Sequence, residues 1–137
     1  MAKPIFNFNE EFRLGIEEVD REHIKLVSML NDVYELLNND KKDQAREMFT
    51  TLLSNYVVEH FSHEETFMQS IGYPALAEHK RIHDNFKSDF NRLKPSIESA
   101  DAAAFRKALA DTFAWIIGHI GKTDRKYAEF YLKTKQA

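Results

Sequence analysis

The sequence predicts an all-α protein: an up-down-up-down four-helix bundle with an N-terminal arm and a short C-terminal helix. Three observations carry that expectation. Apolar residues recur at steps of three and four over most of the chain, the signature of helices with one buried face. Glycine and proline number only 4 and 3 among 137 residues, so little interrupts those helices. The breaks between stripes are short, and short connections make neighbouring helices antiparallel. A chain of this length is expected to form a single domain, residues 1–137, around one core.

The elements follow in order. The first fifteen or so residues carry Phe6, Phe8 and Phe12 without a helical period and read as an arm packed on the bundle. From Val19 a stripe of His23, Leu26, Val27, Leu30, Val33, Tyr34 and Leu37 marks the first helix, ending near Asn38 and Asn39. Asp40 is placed to cap a second helix, whose stripe is Ala45, Met48, Phe49, Leu52, Leu53, Tyr56, Val57, His60, Glu64, Phe67, Met68 and Ile71. Gly72 supplies a stop, and Pro74 suits the first turn of a third helix. That helix carries Leu76, His79, Ile82, His83, Phe86, Phe90 and Leu93 and is expected to end at Pro95. The fourth begins between Ser99 and Asp101, turns Phe105, Ala108, Leu109, Thr112, Trp115, Ile116 and His119 inward, and is loosened by Gly118 and Gly121. A further short helix over 123–132 places Asp124, Tyr127 and Tyr131 on one side.

Composition excludes several function classes. A formal net charge of −3 leaves no basic surplus for phosphates, so neither nucleic acid nor an anionic membrane is expected as a partner. The absence of cysteine removes disulfides, thiolate zinc sites and iron–sulfur clusters, so a metal here must take nitrogen and oxygen donors. The N-terminus lacks an apolar export segment and no apolar run is long enough to span a bilayer, which points to a cytoplasmic protein.

Of the 6 histidines, all but His63 fall on apolar faces, together with Glu64 and Asp124. One inward histidine is more often a hydrogen-bonded core residue than a ligand. Several together reverse those odds, because each buried polar group without a partner costs about 1–3 kcal/mol, and each charge more. Spacing sharpens the case. His60 and Glu64 are four apart, as are His79 and His83, so each pair projects from adjacent turns toward one point. His119 and Asp124 are five apart, about 500° of rotation, so a regular helix would aim them to different sides. The helix must deform or end between them, and Gly118 and Gly121 lie where that would happen. His63 has no partner at ligand spacing and is expected at the surface or rim. Trp115, one turn before His119, is the aromatic expected to line a ligand pocket. The Lys41-Lys42 and Arg125-Lys126 pairs read as solvated helix surface.

At these residues the chain resembles the hemerythrin family, in its single-domain bacterial branch. The resemblance rests on His23 after G-I-E-E-V-D-R-E, on H-F-S-H-E (His60, Glu64), H-K-R-I-H (His79, His83) and H-I-G-K-T-D (His119, Asp124), on Tyr73-Pro74, and on Trp115. Glu22 stands where the family often has Gln, and Phe8 where Trp is common. The resemblance implies two iron ions joined by an oxide or hydroxide. His79, His83 and His119 would hold one, His23 and His60 the other, and Glu64 and Asp124 would bridge them. Two octahedral ions offer about twelve positions, of which five imidazoles, two bridging carboxylates and one bridging oxygen fill about eleven. The vacancy falls on the two-histidine iron, where dioxygen would bind end-on and be held as hydroperoxide.

The implied function is reversible dioxygen binding, for carriage, storage or delivery, by a monomer that could serve an oxygen-using acceptor protein. Formal charge on the centre is the same before and after oxygenation, so no net charge enters a low-dielectric core. Carboxylate-rich di-iron bundles use Glu-x-x-His, whereas this chain has His-x-x-x-Glu and His-x-x-x-His. More neutral nitrogen favours the ferrous state, so carriage is expected rather than enzymatic oxidation. The alternatives are a di-iron enzyme on the same scaffold (a peroxidase, a ferroxidase or a nitric-oxide-handling protein) and an oxygen- or iron-sensing module, which at this length would lack an output domain.

Overall fold

The structure, a computed structural model, describes residues 6–136 and forms the four-helix bundle. The first helix is Glu17–Asn38. The second runs without a break over 42–70, with a π-helical segment, Met48–Leu53, inside it. The third is Leu76–Ser99. The fourth, Ala102–Gly118, passes through a second π segment, His119–Asp124, into Arg125–Gln136. The short C-terminal helix is therefore the continuation of the fourth rather than a separate element.

One half of the bundle is a dry core. Leu30, Val33, Phe49, Leu53, Phe105 and Leu109 have no accessible surface there. The Phe49 ring stacks on Phe90 at 5.0 Å and meets the edge of Phe105 at 5.5 Å, geometries that aromatic quadrupoles favour. The other half carries the histidines. The arm closes over the first and fourth helices. Phe6 stacks on Phe113 at 4.7 Å, and its backbone exchanges two 2.8 Å hydrogen bonds with the Asn31 amide. Asp20 is buried and accepts the N–H groups of Leu14 (2.7 Å) and Gly15 (3.2 Å), which satisfies the turn where Gly15 takes φ +85°.

Four local expectations are corrected. Asp40 does not cap the second helix: it takes φ +59° in the preceding turn, and Lys41 holds the cap position without a side-chain bond. Pro74 lies in the turn before the third helix instead of in its first turn. Pro95 does not end the third helix. It is exposed, so the carbonyl it leaves unpaired faces water, and Ile97 is buried beyond it, where Arg46 donates to the carbonyls of Ile97 and Ala100. Leu52 is 56 % exposed: the wider π turn stacks Leu53 over Phe49 and rotates Leu52 off the apolar face.

Phe49→Ala should cost about 3–5 kcal/mol of stability in urea unfolding, because no polar group or water can fill the space it leaves. A loss below about 1 kcal/mol would mean that the core repacks around the gap.

Candidate metal centre

Each donor reaches the centre through helix geometry. His60 with Glu64 and His79 with His83 use the four-residue stagger of an α-helix. His119 and Asp124 are the ends of the π segment, whose i→i+5 hydrogen bonding stacks residues five apart, and His119 Nε2 lies 3.0 Å from Asp124 Oδ1. The deformation required by the spacing is thus a π turn and not a helix break. Glycine is not its prerequisite, since Met48–Leu53 forms one without glycine.

The structure brings together all seven residues singled out in the sequence, in two buried donor groups. One is Glu64, His79, His83, His119 and Asp124; the other is His23, His60, Glu64 and Asp124. Both carboxylates belong to both groups. Asp124 Oδ1 is 3.0 Å from His79 Nε2, while Oδ2 is 3.2 Å from His23 Nε2. Glu64 Oε1 is 3.2 Å from His83 Nε2, while Oε2 is 3.3 Å from His23 Nε2. Asp124 thus turns one oxygen to each group, while Glu64 Oε1 lies between His83 and His60 (3.5 Å) and its Oε2 faces His23, so both carboxylates reach both groups as bridges would.

The geometry fits a metal better than it fits protein hydrogen bonds. Nε2 atoms of His79, His83 and His119 lie 3.0–3.1 Å from one another. His83 Nδ1 is 2.9 Å from Glu65 and His60 Nδ1 is 2.7 Å from Glu22, so the outer carboxylates take the imidazole protons and leave the Nε2 lone pairs pointing inward. With the His83 lone pair turned inward, protons on His79 or His119 can pair these nitrogens only two at a time, whereas a cation between them satisfies all three at once. Adjacent ligands of an octahedron with bonds of about 2.1 Å are about 3.0 Å apart, against about 3.4 Å for a tetrahedron. Asp124 Oδ1 and Oδ2 and Glu64 Oε1 are buried without a hydrogen-bond partner, further donors left for a metal.

Electrostatics fits the same reading. Burial and Asp124 oppose ionisation of Glu64, but His60, His23 and His83 outweigh them and hold it low. Asp124 is held well below the usual range because His119, His23 and His79 overcome its burial. Burial disfavours charge on His23, yet Asp124 and Glu64 raise it to about 10. Burial, Glu64 and Asp124 push Tyr127 well above its ordinary value, so its phenol stays neutral and donates to Glu64 Oε2 at 2.7 Å.

Trp115 lines a small cavity with His23, Leu26, Val57, His60, Phe61, Ile116, His119 and Ile120. It stacks on His119 at 4.6 Å and on Phe86 at 4.0 Å. His63 stays outside both donor groups with 54 % of its side chain exposed, as a rim residue should. Sequence reasoning missed the outer partners Glu22 and Glu65; Phe61, whose helical spacing reads as core, also lines the cavity and stacks on His83 at 3.8 Å. Glu22 and Glu65 adjoin His23 and Glu64 in sequence, but their partners lie on other helices, so no spacing rule reveals them. Tyr127, three residues after Asp124 on the same side, was the one visible signal.

Comparison with known proteins agrees with this geometry. Residues 14–131 match the model of the hemerythrin HHE cation binding domain. A bacteriohemerythrin of Clostridium acetobutylicum is 35 % identical over 130 residues, covering 91 % of this chain and 100 % of that protein. A hemerythrin-like protein of Naegleria gruberi is 27 % identical, covering 89 % of this chain and 90 % of the other. Among solved structures, wild-type hemerythrin superposes with a TM-score of 0.79 at 24 % identity over 91 % of this chain and 96 % of that one, and a hemerythrin mutant with a TM-score of 0.81 at 23 % identity over 93 % and 97 %. No helix among the described residues is long and apolar enough to cross a membrane. With its bundle, its buried cluster of histidines and carboxylates and a family match over most of its length, the chain belongs to the hemerythrin family, proteins with a non-haem metal centre in which iron is typical.

Proposed function

We propose that the protein binds dioxygen reversibly at a di-iron centre, with His79, His83 and His119 on one iron, His23 and His60 on the other, and Glu64 and Asp124 bridging. When bound, the iron pair supplies the two electrons and the open position that reversible oxygen binding needs. The observation that carries the reading is an asymmetry. Five residues face one metal position and four face the other, and the small cavity touches both histidines of the four-donor group, His23 and His60, but only His119 of the five-donor group. With one bridging oxygen shared, octahedral counting leaves about one position open, and the cavity favours the four-donor side for it.

The chain's own residues set the chemistry. The cavity is about 10 Å³, at the lower limit for one water-sized molecule, and its walls apart from the histidines are Leu26, Val57, Phe61, Trp115, Ile116 and Ile120. Such a chamber has no room for a bulky organic substrate, which favours carriage of a small ligand over substrate oxidation. Tyr127 holds Glu64 in place from behind through its phenol. Its high resistance to ionisation keeps a third negative charge away from the bridging carboxylates. Glu22 and Glu65 orient His60 and His83 from outside.

Anaerobic iron loading followed by an optical spectrum before and after air tests the proposal. Two irons per chain and a charge-transfer band that appears with oxygen and vanishes on its removal are expected. Oxidation of an added substrate, peroxide or nitric oxide faster than the protein's own autoxidation would replace carriage with an enzymatic reading. Glu64→Ala and Asp124→Ala should each lower the iron content and the thermal midpoint, because each removes a bridge and a compensating charge together; unchanged iron in either variant would refute its bridging role.

Removing the metal should also expose a pH dependence. A raised His23 value of about 10 stabilises the metal-free fold fully below about 6.5, and that contribution is lost as pH rises through about 10. Chelator-stripped protein should therefore lose thermal stability across that window, while the loaded protein, whose His23 lone pair is on the metal, should not. A flat profile for the stripped protein would show that the His23 ion pairs contribute nothing.

A further inference from the structure

Glu22 is the one outer carboxylate with a second histidine on it. Its Oε1 is 2.7 Å from His60 Nδ1, and its Oε2 is 2.7 Å from His63 Nδ1. Glu65, its counterpart on His83, has no second histidine among the described residues. We propose that His63 is a positioning residue: by holding Glu22 Oε2 it fixes the carboxylate that orients His60 and strengthens its donation to the metal. This rests on the metal-centre reading above but not on which reaction the centre performs.

The surroundings of Glu22 are why it needs holding. It stands on the wall of an open groove of about 830 Å³ bounded by the first and second helices and by Tyr131, lined also by Lys25, Tyr56, His63 and Phe67. The two histidines are its only hydrogen-bond or ion-pair partners among the described residues. Without His63 the carboxylate has room to swing outward toward Lys25, which stands three residues on along the same helix with its Nζ over the Tyr56 ring at 4.7 Å. Burial works against charge on Glu22, yet the hydrogen bonds from His60 and His63 outweigh it and lower its value, so both histidines act on one ionised group. A carboxylate on the outer nitrogen raises a ligand imidazole's basicity, and losing such a partner weakens metal binding by about 10–100-fold. His63 acts one bond further out, so its effect belongs at the lower end. Its influence falls on the His23 and His60 side only, because Glu22 touches no residue of the three-histidine group.

The test is release of iron from the loaded, anaerobically reduced protein to a ferrous chelator, followed optically. H63A should still load two irons per chain, but should release one of them about 10-fold faster than the parent and the other at the parental rate. H63Q, which can donate an amide N–H to the same oxygen, should restore the parental rate. E22A should match or exceed the effect of H63A, and the double variant H63A/E22A should be no faster than E22A alone, as for two residues on one path. E59Q removes the other carboxylate near His63, at 4.0 Å, and should behave as the parent. Parental release by H63A, equal acceleration of both irons, additive effects in the double variant, or no rescue by H63Q each overturns the proposal. Release counts metal without involving dioxygen, so failure of oxygen carriage and failure of this inference are read separately.

Discussion

Three imidazole nitrogens within 3.1 Å of one another, beside two carboxylates with unpaired oxygens in a dry interior, form the constraint on which the rest of the structure depends. A protein core does not assemble such a cluster to satisfy itself. Each lone pair turned toward another raises the energy, and each buried charge without a counter-charge adds to it. A cation at the shared point converts the same arrangement into a set of bonds, which makes metal binding part of folding in this half of the bundle. The other half, packed around Phe49, Phe90 and Phe105, has no such conflict and supplies ordinary apolar stability.

The backbone yields where the site requires it. A straight α-helix cannot aim residues five apart at one point, and the π segment His119–Asp124 resolves this by widening one turn without breaking the helix. The resulting hydrogen-bond pattern keeps the chain helical through Arg125–Gln136, so Tyr127 arrives beneath Glu64 with its phenol in bonding range. The second π segment, Met48–Leu53, ends seven residues before His60 on the same helix and keeps Phe49 and Leu53 buried while Leu52 turns outward. One distortion joins two donors directly, and the other shapes the packing ahead of a donor pair.

Around the donors the structure separates two surroundings. On one side an apolar chamber with Trp115 and Phe61 touches His23, His60 and His119. On the other, a wide groove of mixed lining holds Glu22 against the outer nitrogen of the same His60, with His63 on the second oxygen of Glu22. His60, on the four-donor side, is therefore addressed from both directions, by what can approach the centre and by what sets its donor strength.

Much of this was legible in the sequence. The periodicity of three and four fixes which residues turn inward, and a helix stacks positions four apart whatever surrounds it, so spacing alone pairs His60 with Glu64 and His79 with His83. The five-residue interval from His119 to Asp124 announced a deformation, though not its kind. Local sequence was a poorer guide where solvent or tertiary contacts intervene: Pro95 continues a helix because its face is wet and Arg46 anchors the turn beyond it, and Asp40 turns instead of capping. The outer shell was not legible at all. Glu22 meets His60 and His63 across 38 and 41 residues, and Glu65 meets His83 across 18. Helical periodicity is a property of one segment and is written in its own residues, so the sequence by itself determined the inward faces and the donor pairs. Contacts between helices depend on how two segments are rotated and shifted against each other, which only the packing of the whole bundle decides.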